Sequence, residues 1–137
     1  MGRMRYERLE HTADVMVKAH GSTLKECFEN AAYAMTDTML DASRVEARDS
    51  TIIEAEGDTM EDLLYSFLSE ELFIFDARRL ALVEFEVELG DKKLRCRARG
   101  EPFDPAKHEP KTEIKAVTYH MLEVDVTEPS VTVLFDV

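Results

Sequence analysis

The sequence predicts an α+β fold: a single two-layer domain over residues 1–137, with two helices packed on a mostly antiparallel or mixed sheet. Three observations lead there. Two stretches carry apolar residues at three- and four-residue spacing, several others alternate with period two, and one short unit occurs twice. Ala19-His20-Gly21-Ser22-Thr23-Leu24-Lys25-Glu26 is echoed by Ala55-Glu56-Gly57-Asp58-Thr59-Met60-Glu61-Asp62. In each copy a strand runs into glycine and Ser22 or Asp58 stands as the expected helix N-cap, so the unit is a duplicated strand-turn-helix.

The elements follow in order. Ala13, Val15, Val17 and Ala19 share one face of an early strand, with Asp14, Met16 and Lys18 on the other. Leu24, Cys27, Phe28, Ala31, Met35 and Met39 mark an amphipathic helix to about Leu40. Met60, Leu63, Leu64, Phe67, Leu68, Leu72 and Phe75 trace a wider stripe on a second helix ending near Asp76. Val83 to Leu89, Gly90-Asp91 and Leu94 to Ala98 read as a hairpin. Residues 101–111 carry three prolines and form a loop. Ile114 to Val124 has apolar groups on both faces and reads as a central strand, and Val131, Val133 and Phe135 form the last one.

Composition narrows the function. The 137 residues include 17 basic and 29 acidic side chains, a formal net charge of −12. Affinity for a phosphate backbone comes mainly from Lys and Arg, so strong direct nucleic-acid binding is not expected. The start lacks the apolar core of a secretory signal, Tyr6 stands where a myristoylation motif wants Ser or Thr, and no apolar run is long enough to span a bilayer. Cys27 and Cys96 fall on a helix and a strand as small core hydrophobes, consistent with a cytoplasmic protein. Phosphate loop, dinucleotide fingerprint, Cys/His metal spacing and nucleophile elbow are all missing, which disfavours a free-standing enzyme.

Two aspartates stand out. Asp14 interrupts the early strand pattern after His11-Thr12-Ala13, and Asp136 is next to last, beside the carboxylate of Val137. If the first and last strands meet at one end, these oxygens converge, and such a set suits a hard cation such as Ca²⁺ or Mg²⁺. The competing reading is two strand-end aspartates in water. Lys115 interrupts the apolar strand and, if buried, needs a carboxylate partner; otherwise it snorkels to the sheet edge. His20 reads as a solvated turn residue, His120 as a hydrogen-bonded core residue, and His11 and His108 as loop residues. Glu70 and Glu71 read as a solvated helix flank.

Assembled in order, several pieces resemble the archease family across essentially the whole chain: His11-Thr12-Ala13-Asp14-Val15, Leu63 to Leu72, Gly100-Glu101-Pro102-Phe103-Asp104 with His108, Glu113 to His120, and Val133-Leu134-Phe135-Asp136-Val137. The resemblance implies an accessory protein, not itself a ligase. Its partner would be the GTP-dependent RNA ligase that joins 3′-phosphate or 2′,3′-cyclic-phosphate ends to 5′-hydroxyl ends in tRNA splicing. It implies promotion of ligase guanylylation and multiple turnover. It further implies a calcium site at Asp14, Asp136 and Val137, and ligase-activating positions at Lys115, His11 and Glu70. Two rivals from other classes are a small metal-dependent hydrolase using Asp14, His11 and His108, and a chaperone-like binding module.

Overall fold

Two antiparallel sheets and two long helices enclose one hydrophobic core in the computed structural model, which describes residues 4–9 and 14–137. The order is β1 (Tyr6–Leu9), β2 (Val15–His20), α1 (Leu24–Met39), a 3₁₀ turn (Ala42–Arg44), β3 (Asp49–Glu56), α2 (Met60–Arg78), β4 (Leu80–Leu89), β5 (Lys93–Pro102), a one-turn α3 (Pro105–His108), β6 (Ala116–Asp125) and β7 (Ser130–Asp136). One sheet has the order β1-β2-β7-β6 and the other β3-β5-β4. The α+β class and both helices stand as expected, but the strands divide between two sheets rather than one. Each copy of the repeat feeds a different sheet, β2–α1 the first and β3–α2 the second.

The repeat has a steric cause. A Cβ on Gly21 would come within 2.9 Å of the Cys27 amide nitrogen, and one on Gly57 within 2.8 Å of that of Leu63. Only glycine lets each strand end press against the first turn of the helix it precedes. The N-caps fall one residue later than predicted. Thr23 Oγ1 accepts from the Glu26 N–H at 3.2 Å, and Thr59 Oγ1 from the Asp62 N–H at 3.1 Å. Ser22 instead donates its N–H to Glu26 Oε1 at 2.9 Å, so both sides of that turn are satisfied.

Both helices pack on both sheets: α1 on β2, β7 and β4, and α2 on β6, β3 and β4. Phe67 sits between Phe28 and Phe85, each 6.4 Å away centroid to centroid, and Cys27 and Cys96 are both fully buried. Burial pushes the Cys96 thiol up to about 12, which keeps it protonated and inert.

β6 departs from the sequence reading. It is an edge strand, not a central one. Its pairing with β7 shifts between Thr118 and Glu123, where Met121 adopts a left-handed φ of 59°. The bulge turns Tyr119, His120 and Met121 outward, so His120 is exposed rather than a core residue. The apolar character of both faces has another origin: α2 lies along this edge. Tyr65 stacks on Tyr119 at 4.1 Å, the Tyr119 hydroxyl donates to Asp62 at 3.0 Å, and the Val124 N–H donates to Glu61 at 3.3 Å.

Candidate functional site

The register of β2 on β7 brings the two ends of the sequence together. Val15 pairs with Phe135, so the next position sets Asp14 against Asp136. On the other side of β7, Ala116 pairs with Asp136, and the Lys115 N–H donates to the Asp136 carbonyl oxygen at 2.7 Å. Three neighbouring strands therefore deliver Asp14, Asp136, Val137 and Lys115 to one end of the four-stranded sheet. Asp14 precedes β2 rather than lying inside it, and is half-buried; Asp136 and Lys115 are exposed. Lys115 precedes β6 and needs no buried partner. Val137 is partly buried, its side chain packed on the core.

Residues opposed in antiparallel strands share a face, and like charges placed so repel one another. A pair of aspartates is an all-oxygen donor set, hard enough for Ca²⁺ or Mg²⁺ and unsuited to a soft metal. The donor chemistry thus fits a divalent cation. Among the described residues, no group of three or more His, Cys, Asp and Glu residues is placed to hold a metal.

Among the described residues, the remaining predicted positions lie elsewhere. Glu70 is exposed on α2, and His11 lies outside the described residues. His20 ends β2 and contacts Glu7 at 2.9 Å. His108 is fully buried and stacks on Phe103 at a centroid distance of 5.9 Å. Its Nδ1 accepts from the Asp104 N–H at 3.0 Å, so its Nε2 carries the proton donated to Glu101 at 2.8 Å. Both nitrogens are committed, which removes His108 from the hydrolase constellation.

Sequence reasoning missed two carboxylates. Glu101, only 3% exposed, receives Lys107 at 2.8 Å, Arg48 at 3.2 Å, the Glu46 N–H at 3.0 Å and His108. Lys107, the Glu46 amide and His108 hold its carboxyl down at about 2. The network ties β5 and α3 to the segment before β3. Glu71, read as solvated, is buried inside the α2 stripe, and burial pushes its carboxyl well above the ordinary range. The signal was in the spacing: Glu71 follows Phe67 by four residues, on the apolar side.

Two helices shared between two antiparallel sheets define a small α+β protein. The model of the Archease protein family (MTH1598/TM1083) matches residues 6–137. Protein archease of Pyrococcus furiosus is 43% identical over 124 residues, covering 88% of this chain and 87% of the relative. Protein archease-like of Drosophila melanogaster is 41% identical over 127 residues, 88% and 80% of the two chains. The solution structure of Methanobacterium thermoautotrophicum protein 1598 superimposes with a TM-score of 0.84 at 34% identity, covering 97% of this chain and 99% of that one. The chain belongs to the archease family.

Proposed function

We propose that this chain is the accessory factor of a GTP-dependent RNA ligase that joins 3′-phosphate or 2′,3′-cyclic-phosphate ends to 5′-hydroxyl ends in tRNA splicing. It acts in the cytoplasm, promotes guanylylation and repeated turnover of the ligase, and does not itself join RNA. The observation that carries the reading is the convergence of Asp14, Asp136, Val137 and Lys115 from three strands, in a member of the archease family.

In this reading Asp14, Asp136 and the Val137 carboxylate hold a divalent cation, Ca²⁺ first. A cation held there would supply positive charge toward an anionic group of the ligase. Lys115, exposed beside Asp136, offers an ammonium to the same kind of group. Glu70 and His11 are carried as further contacts with the ligase. The net charge of −12 accords with a protein that leaves the RNA to its partner.

Purified ligase is to be incubated with labelled GTP, with and without this chain, in calcium and in chelator. The reading expects faster guanylylation and multiple turnover with the chain, reduced by chelator. A ligase indifferent to the chain in both conditions contradicts it.

A further inference from the structure

Between the end of α2 and the segment leading into β6 lies a cleft of about 290 Å³. Phe75, Phe103, Met39 and Ile114 supply its apolar walls. Ile114 directly precedes Lys115 in the chain, although none of the strand-end site residues lines the cleft.

Arg79 occupies its rim in an unusual way. It caps α2 in the left-handed region, with φ 51° and ψ 41°, a position glycine normally fills. Its N–H donates to the Phe75 carbonyl at 3.0 Å and its carbonyl accepts from the Phe103 N–H at 2.7 Å, which fixes that conformation. The side chain then lies over both rings, with the guanidinium carbon 4.9 Å from the Phe75 centroid and 5.1 Å from that of Phe103. Among the described residues no carboxylate comes within 4.0 Å of this guanidinium. Lys111, also on the rim, is already engaged by the carbonyl and carboxylate of Asp37 at 3.0 and 3.7 Å. Asp76 and Glu113 line the cleft without pairing to Arg79. In a protein with twelve excess negative charges, a guanidinium held over two rings at an apolar cleft is complementary to a carboxylate brought by a partner.

We propose that this cleft docks a segment of the ligase in which an acidic residue flanks an apolar side chain. The apolar group enters between Phe75, Phe103 and Ile114, and the carboxylate pairs with Arg79. The inference rests on the ligase reading above and adds a binding contact separate from the strand-end site. Arg79 is a docking residue; the cation role stays with Asp14 and Asp136, and the activating role with Lys115, His11 and Glu70.

The test uses Arg79→Gly and Arg79→Glu in the full chain. Glycine relieves the left-handed backbone but removes the stacking on Phe75 and Phe103, so a purely structural Arg79 predicts an Arg79→Gly protein altered at most in melting temperature, with unchanged ligase coupling. Docking predicts that the concentration giving half-maximal ligase guanylylation rises about tenfold for Arg79→Gly and further for Arg79→Glu, with the plateau kept. Titration calorimetry of the same proteins against the ligase should show the same order of affinities. Curves of both variants that superimpose on wild type overturn the docking role, as does a lowered plateau at unchanged half-maximal concentration. A wild-type chain that neither binds nor stimulates the ligase overturns the accessory-factor reading itself, and the docking role with it.

Discussion

The Lys115 N–H donates to the Asp136 carbonyl at 2.7 Å, so the strand entering the site and the strand ending in it are joined through the main chain. The Lys115 side chain takes no part in that bond and is exposed. Lys115→Ala should therefore leave stability within about 0.5 kcal/mol of wild type in urea unfolding. Ligase stimulation should fall. A variant that lost stability by several times that amount would show that the side chain supports the fold, contrary to its exposed position.

Glu71 should make the protein less stable as pH rises. Thr36 Oγ1 lies 2.9 Å from Glu71 Oε2 and 2.7 Å from the Leu82 carbonyl oxygen, which can only accept. Thr36 has one hydroxyl proton, so with that proton on Leu82 the Glu71 carboxyl supplies its own, donating to Thr36. The raised folded-state pKa means the folded form binds more protons than the unfolded chain above the ordinary glutamate value of about 4.3. Stability contributed by this group is full below that pH and declines above it, by up to about 1.4 kcal/mol per pH unit. Glu71→Gln should remove the slope and be more stable than wild type at pH 8. An unchanged slope in the variant would contradict a buried neutral carboxyl.

Glu101 carries the opposite sign. Its carboxyl is held at about 2, so the unfolded chain binds more protons between about 4.3 and 2. Its contribution is present above that window and lost as pH falls through it. Acid unfolding of Glu101→Gln followed by circular dichroism should show a shallower loss from pH 4 to 2 than wild type, from a lower starting stability.

Gly100 pairs with Leu82 at the point where β4 shifts register. A Cβ at this position would collide with the carbonyl oxygen of Ala81. Gly100→Ala is expected to cost about 3 kcal/mol, measurable by chemical denaturation, since both strands must move apart to admit one methyl group.

Much of the fold could be read from the sequence because its signals are local. The helical stripes from Leu24 to Met39 and from Met60 to Phe75 come from burial on one side, and Gly21 and Gly57 mark where strand meets helix. The division into two sheets was not legible, because period-two alternation reports that a strand has a buried face and not which neighbour it pairs with. β6 was misplaced for a related reason. Tyr119 and Met121 look like a second buried face, but a bulge and the overlying α2 account for them. β1 escaped notice: Tyr6–Leu9 is four residues long.

At the site, Asp14 and Asp136 were legible as residues out of place, and their meeting required only that the first and last predicted strands be neighbours. The Glu101 network was not. It draws on Glu46, Arg48, Lys107 and His108, and sequence spacing does not report contacts across fifty residues.

The central claim is tested most directly by multiple-turnover RNA joining with purified ligase, comparing wild type with Asp14→Asn and Asp136→Asn. These changes keep side-chain size and remove the charge needed for a cation. The account predicts that both variants fold as wild type does by circular dichroism and lose at least about tenfold in stimulation at saturating calcium. Full stimulation by both variants would contradict it.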